Sequence, residues 1–421
     1  MSIRQPAAIV ILMIMAMSLV WSKALLSFTM GLLAVVAIID IRISPFRIKW
    51  LLTIPNIRNS IRAKPSMWGL TLFSFLYIFS ILYAGDIGEW WNLTHMKMAF
   101  LLMPMSFALL GNFNRREVML ILIPMLMTAV WSTIWVQVAY YSHFHLFSQS
   151  LGFGGSLPTP MHHIRYSVVI AISMIICLGF AIENWKLKYN WERWAYGISS
   201  AYLFYFLHIL SVRSGLMIAY AGVFIICIFY LRKLKVWKQL ALIAALIIVP
   251  FIAYKTLPGF QLKVNYTIYD LGKFKQGEGN DYSDSERWQS WHAGLMIGNK
   301  HPFLGTGTGH FKSELETYYK TELKQDSWTR PHNQWINEFA KLGLIGLIVF
   351  SFSIIHPMMY GIFWKTALFP TIYIMQLLTM MVEHPLDTEF GTKIFLMMTL
   401  LGLSYHSTLL ISTAARETDA P

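Results

Sequence analysis

The stretch SVRSGLMIAYAGVFIICIFYLRKLK, residues 211–235, decides how this chain is built. Its centre, 214–231, is an apolar run without a single charged residue. As a helix rising 1.5 Å per residue, a run of this length is close to the ~30 Å hydrocarbon thickness of a bilayer. Arg232, Lys233 and Lys235 follow one end, and Arg213 alone precedes the other. Cations accumulate on the cytoplasmic side of membrane spans, so the cluster fixes the direction and leaves Arg213 on the outer side.

The same pattern repeats outward from this stretch in both directions. Apolar runs fall near 6–22, 24–40, 67–84, 94–110, 117–141, 163–182, 194–212, 214–231, 237–254, 335–362, 366–383 and 391–411. The composition agrees. Of 421 residues, 56% are hydrophobic and 13% charged, against roughly 25% charged in a soluble domain. So little charge cannot cover a soluble surface, which excludes a soluble enzyme, a disordered chain and a disulfide scaffold. Cys177 and Cys227 both lie inside apolar runs and do not suggest a disulfide. The first run is too long for a secretory signal and no small-residue cleavage site follows it before Trp21, so it reads as a retained span.

The connections alternate in charge. Residues 41–66 carry Arg42, Arg47, Lys49, Arg58, Arg62 and Lys64; 111–116 carry Arg115 and Arg116; 183–193 carry Lys186, Lys188 and Arg193; 232–238 carry Arg232, Lys233, Lys235 and Lys238; and Lys365 lies in the turn at 363–365. The intervening segments 85–93, 142–162 and 384–390 contain no Lys or Arg. This alternation places both termini in the cytoplasm. Trp90, Trp91, Trp131, Trp194 and Trp237 fall near span ends, as interfacial aromatics do. The expected fold is an all-α polytopic membrane protein of about twelve transmembrane helices. Nine spans fill 1–254, a large helical loop on the outer side fills 255–334, and three spans with a cytoplasmic tail fill 335–421. The net charge of +13 belongs mostly to the cytoplasmic turns and does not indicate nucleic acid.

The 255–334 segment holds ten Lys/Arg and nine Asp/Glu. It is too long for a bare connector. Ser283-Asp284-Ser285-Glu286 reads as a capping box opening a helix through Arg287, Trp288, Trp291 and Leu295 to about Gly298. A second amphipathic helix fits Phe311 to Leu323. Between them, His301-Pro302-Phe303-Leu304-Gly305-Thr306-Gly307-Thr308-Gly309 is turn chemistry.

Charge beside an apolar run is costly and marks a candidate site. Arg213 stands on the side where positive charge is otherwise avoided. It is either an interfacial anchor or a guanidinium offered to a phosphate, which it can hold with two parallel hydrogen bonds. Arg287 opens the first loop helix and is a solvated residue or a second such contact. Arg165, in Met161-His162-His163-Ile164-Arg165-Tyr166, has the same two readings. Adjacent histidines point apart on a helix, and no carboxylate or cysteine stands at ligand spacing, so His162 and His163 do not make a metal site. His332, in Arg330-Pro331-His332-Asn333-Gln334-Trp335, falls in the first turn of a long apolar helix. The positive end of the helix dipole favours a neutral imidazole there, suited to a general base; the alternative is a simple cap. Asn333 and Gln334 either orient a sugar hydroxyl or phosphate oxygen, or cap the helix.

Other signals are missing. Gly305-Thr306-Gly307-Thr308-Gly309 lacks the strand and lysine of a nucleotide loop. Asp86 and Glu89 beside Trp90 and Trp91 read as plain loop rather than a metal pair. Lys97 is the clearest charge within a span, and no chain of acids points to proton-driven transport.

The order of many spans, a Ser-Arg-Ser-Gly turn, a long outer loop with NKHPFLGTGTGHF (299–311), and RPHNQWINEFAKLGLIGLIVF (330–350) resembles the O-antigen ligase (WaaL) family. That family shares its signature with O-antigen polymerases (Wzy) and bacterial protein O-oligosaccharyltransferases. The resemblance covers roughly 200–350. It implies a glycosyltransferase of the bacterial inner membrane with a periplasmic active site. The donor would be a glycan on undecaprenyl pyrophosphate and the acceptor a sugar of lipid A–core, with no metal or other cofactor. The family's arginines would map to Arg213 and Arg287, less surely to Arg165, and its loop histidine to His332; Arg330 and Lys312 are substitutes for a further arginine. Asn333, Gln334 and His163 are carried as further substrate contacts. The single large loop favours a ligase over a polymerase. Only about 70 residues follow 350, fewer than an oligosaccharyltransferase would have. A lipid-linked glycan transporter would be expected to show broken helices or mid-span polar groups.

Overall fold

The computed structural model describes residues 2–43, 46–231, 235–275 and 283–418. Helices occupy every one of the twelve apolar runs. Among the described residues six are long and apolar enough to cross a membrane: Arg4–Trp21, Pro65–Tyr83, Arg115–Ser142, His163–Ile182, Arg213–Tyr230 and Gln334–Met359. The remaining runs form further helices, among them Lys23–Ile38, Ala99–Leu109, Glu192–Leu210, Val236–Thr256, Leu368–Val382 and Glu389–Thr418. Among the described residues a hairpin departs from the helical pattern. Strands β1 (Ile39–Arg42) and β2 (Arg47–Trp50) pair as an antiparallel hairpin directly after Lys23–Ile38.

The chain divides into two compact units. The first comprises residues 1–124, 287–369 and 380–421; the second comprises 125–286 and 370–379. The 255–334 segment is therefore shared between them. It is helical at Pro258–Lys275, Ser283–Lys300 and Phe311–Thr321. The side chains of Ser283 and Asp284, half of the expected capping box, lie outside the described residues, as do Arg232 and Lys233.

Within the first unit the glycine-rich turn has a specific task. The helix Gln334–Ile355 is interrupted at Gly343, with φ 63° and ψ −164°. A Cβ on Gly343 would also approach the Phe303 carbonyl carbon to 2.3 Å, so only glycine fits. The break frees carbonyls that the turn then satisfies. Thr306 N donates to Ala340 O at 3.1 Å and Gly307 N to Lys341 O at 2.9 Å, while Leu344 N donates back to Pro302 O at 2.7 Å. An unpaired main-chain group in an apolar interior is costly, so turn and broken helix depend on each other. Ala293, Ile297, Phe311, Leu315, Tyr318, Tyr319 and Ala340 pack into one apolar core beneath this turn. That core holds the Ser283–Lys300 helix against the start of Gln334–Ile355.

Candidate functional site

The site of the first unit starts from the N-terminus of Gln334–Ile355. Asn333 is its N-cap: Oδ1 accepts from Trp335 N at 2.9 Å and Ile336 N at 3.2 Å. Its Nδ2 donates to Met381 O at 3.0 Å, which joins the helix start to the end of Leu368–Val382. His332, one residue earlier, is fixed through its backbone. Its N–H donates to Ser290 Oγ at 3.2 Å, and its carbonyl accepts from Trp291 Nε1 at 2.7 Å. Ser290 and Trp291 come from the helix that also presents Arg287.

The side chains meet on one carboxylate. Glu383 Oε2 lies 3.0 Å from His332 Nδ1, and Glu383 Oε1 accepts from Arg287 Nη2 at 2.7 Å. An Nδ1–H donated to Glu383 leaves Nε2 as the ring's proton acceptor. His332 and Arg287 remain partly open, with about a fifth of each side chain exposed. His384 lies beside His332, with ring centroids 5.5 Å apart and the planes tilted by 54°. Burial pushes its imidazole down to about 4, so it is neutral at physiological pH. His332, Glu383 and His384 could offer three ligand atoms to one metal ion, all within 4.8 Å. Each oxygen of Glu383 already has a partner, Arg287 or His332, so an ion there would compete with those contacts.

A buried ionic network lies next to this centre. Asp387 has no exposed side-chain surface. Its Oδ1 is 2.7 Å from Lys97 Nζ, and its Oδ2 is 2.7 Å from Lys341 Nζ and 2.8 Å from Asn337 Nδ2. Burial alone would raise its carboxyl; Lys341, Lys97 and Arg330 outweigh that and hold it well below the usual carboxylate range. Lys97 Nζ also donates to Leu386 O at 2.5 Å. Glu338 accepts from Tyr77 Oη at 2.7 Å and from Gln334 Nε2 at 2.6 Å. The turn His384-Pro385-Leu386-Asp387 is thereby clamped to two helices, Ile87–Lys97 and Gln334–Ile355, and with it the position of Glu383.

These contacts revise several expectations. Gln334 is fully buried, with Oε1 accepting from Leu386 N at 2.9 Å, so it holds the scaffold and does not face a substrate. Asn333 likewise has both ends of its amide engaged by the protein. Lys97 is not a solitary charge, because Glu338 and Lys341 share the interior with it. Asp86 caps the helix Ile87–Lys97, accepting from Gly88 N at 2.7 Å and Glu89 N at 3.1 Å. Glu89 pairs with Arg330 at 3.4 Å, and Arg330 also approaches Asp387 at 3.7 Å. Arg330 is thus held between carboxylates.

Arg213, Arg165 and His163 belong to the second unit. Arg213 begins the helix Arg213–Leu231, after Ser211 in the left-handed region. A Cβ on Gly215 would meet Ser167 Cβ at 2.3 Å, and one on Gly222 would meet Ile175 at 2.9 Å. Both contact pairs advance together, so this helix runs parallel to His163–Ile182 with the two N-termini at the same end. Arg165 and Arg213 each stand two residues before the Ser167–Gly215 contact. Two positive helix ends and two guanidinium groups therefore gather there, a combination suited to an anion. Lys263, unremarked in the sequence, adds to it. Its ammonium donates to Gly154 O at 2.6 Å and Gly155 O at 2.8 Å. Burial, then the charge of Arg213, pushes it down to about 8. Ser214 Oγ is buried at the same helix start with no hydrogen-bond partner among the described residues. The rings of His162 and His163 do not point apart. They stack with centroids 4.6 Å apart, because His162 is the N-cap residue and lies outside the helical repeat.

Glu383, Asp387, Glu338, Lys341 and Lys263 were not singled out from sequence. Two signals were present: acids at the outer end of an apolar run in a segment without Lys or Arg, and Glu338 and Lys341 spaced i, i+3 inside another run.

An uncharacterized protein of Haemophilus influenzae is 24% identical over 224 residues, covering 51% of this chain and 54% of the relative. The match thus spans about half of that relative's length. Residues 198–351 match the family described as O-antigen ligase. That stretch contains the Ser-Arg-Ser-Gly turn, the Arg287 helix, the glycine turn and the His332 helix start.

Proposed function

We propose that the protein is an O-antigen ligase of the inner membrane. It would transfer a glycan from undecaprenyl pyrophosphate to a sugar of lipid A–core at the periplasmic face. The observation that carries this reading is the Glu383 carboxylate shared between His332 and Arg287. It provides a base and a fixed cation in one arrangement.

The acceptor hydroxyl attacks the anomeric carbon as the bond from that carbon to the pyrophosphate oxygen breaks. The hydroxyl proton passes to His332 Nε2. Glu383 holds the ring and balances the imidazolium that forms. Negative charge grows on the departing pyrophosphate, and a guanidinium that is already oriented stabilises it without reorganisation. Arg287 has that role in the first unit; the cationic helix ends at Arg213 and Arg165, with Lys263, have the matching chemistry in the second. Glu383 in this reading orients His332 and Arg287, and the reaction is a direct displacement with inversion. A polar cavity of about 600 Å³ includes Glu89, Asn92, His310 and Ser313 in its lining and is where we place the acceptor sugar.

The test is the lipopolysaccharide of a strain lacking the gene. Uncapped lipid A–core, with polymerised glycan remaining on its carrier lipid, is the result expected of a ligase. Caps of a single repeat unit would instead assign the protein as a polymerase.

A further inference from the structure

The hairpin after the second apolar run sorts its side chains by face. Its register pairs Ile39 with Trp50, Asp40 with Lys49, Ile41 with Ile48 and Arg42 with Arg47. Side chains alternate along a strand, so Ile39, Ile41, Ile48 and Trp50 share one face, and Asp40, Arg42, Arg47 and Lys49 share the other. One face is wholly apolar and the other wholly charged. The apolar face is uncovered: Ile48 is 63% exposed and Trp50 57%. A two-stranded hairpin is marginal in water by itself, and this one is braced at its base and, through Ser2 and Ile3, along the outer edge of β1. Leu51 N donates to Ile38 O at 2.7 Å and Ile3 N to Ile41 O at 3.1 Å.

The next helix repeats the design. In Ile54–Ala63, residues Ile54, Ile57 and Ile61 fall on one face by helical spacing. Ile54 is 83% exposed and Ile61 44%. Arg58 and Arg62 flank that face on one side, and about a quarter turn away on the other Ser60 accepts from Trp68 Nε1 at 3.1 Å.

We infer that the hairpin and this helix form a platform lying flat in the membrane interface and binding anionic lipid headgroups. The apolar faces rest on the acyl boundary, and Arg42, Arg47, Lys49, Arg58 and Arg62 meet the phosphates. Two observations select lipid as the occupant. The hairpin grows directly from Lys23–Ile38, an apolar helix whose Phe28 and Val35 are themselves exposed, so its apolar face continues a surface already facing hydrocarbon. The surplus charge of the platform is positive on every exposed side, complementary to an anionic leaflet. Depth is also set, because open strand edges need hydrogen-bond partners that headgroups and water supply and the hydrocarbon core does not.

The test uses full-length protein carrying Cys227→Ser, reconstituted into vesicles of phosphatidylcholine alone or with one quarter phosphatidylglycerol. Nitroxides are attached at Ile48→Cys and, separately, at Lys49→Cys. The first is expected to be shielded from a water-soluble nickel chelate and reached by oxygen, and the second to be reached by nickel. Equal nickel access at both positions would overturn the proposal, as would dipolar broadening from a second copy at position 48. Retention of phosphatidylglycerol by purified protein is the second reading. Arg47→Gln with Lys49→Gln is expected to weaken it by about fivefold per charge removed. Unchanged retention would overturn the headgroup assignment.

Discussion

His332 Nδ1 lies 3.0 Å from Glu383 Oε2, so the imidazole is oriented by a carboxylate that a separate helix delivers. Glu383→Gln is expected to lower the turnover of glycan transfer by about 10²-fold, with a smaller change in KM. Glu383→Asp should recover part of the loss. A discontinuous transfer assay across pH reads both, and His332→Ala with near-normal turnover would reduce His332 to a positioning residue.

Arg287→Ala and Arg213→Ala are expected to abolish transfer while the protein inserts and accumulates normally. Lysine at either position should restore only a minor fraction, because an ammonium cannot make the parallel pair of hydrogen bonds a guanidinium offers a phosphate. Lipopolysaccharide profiles of complemented strains, alongside membrane immunoblots, check this.

Asp387 neutralises Lys97 and Lys341 in the interior. Asp387→Ala strands both ammonium groups and is expected to destabilise the protein by about 3–5 kcal/mol. Combining it with Lys97→Met should recover part of that, since the two positions are in direct contact. Thermal unfolding in detergent measures the difference.

His384 predicts a pH dependence of stability. Its folded value is about 4, below the ordinary value of 6.5. Between these values the unfolded chain binds the proton and the folded one does not. Stability is therefore complete above pH 6.5 and falls as the pH drops towards 4, by about 3 kcal/mol in all. His384→Gln should flatten that slope in a series of melting curves.

Exhaustive chelation is expected to leave transfer unchanged, because the Glu383 oxygens that would complete a metal site are held by Arg287 and His332. A loss restored by a divalent ion would move the reaction onto the His332–Glu383–His384 trio.

The sequence by itself determined the helical membrane architecture, because a span is a local property: enough consecutive apolar residues, with cations on one side. It also marked Arg213, Arg287 and His332, since a charge or imidazole at the end of an apolar run stands out without knowledge of its neighbours. The roles of Asn333 and Gln334 were left open between cap and ligand; only the contacts to Met381 and Leu386 decided for the scaffold. Glu383 lies 51 residues from His332 and 96 from Arg287, and Asp387 lies 46 from Lys341 and 290 from Lys97, separations that no spacing rule links. The sorted faces of the hairpin were hidden for a related reason. Its alternation RIKW is visible, but which strand pairs with it, and in what register, depends on backbone hydrogen bonds to residues 39–42. Pairing across distance, whether of charges or of strands, is what the tertiary structure decided.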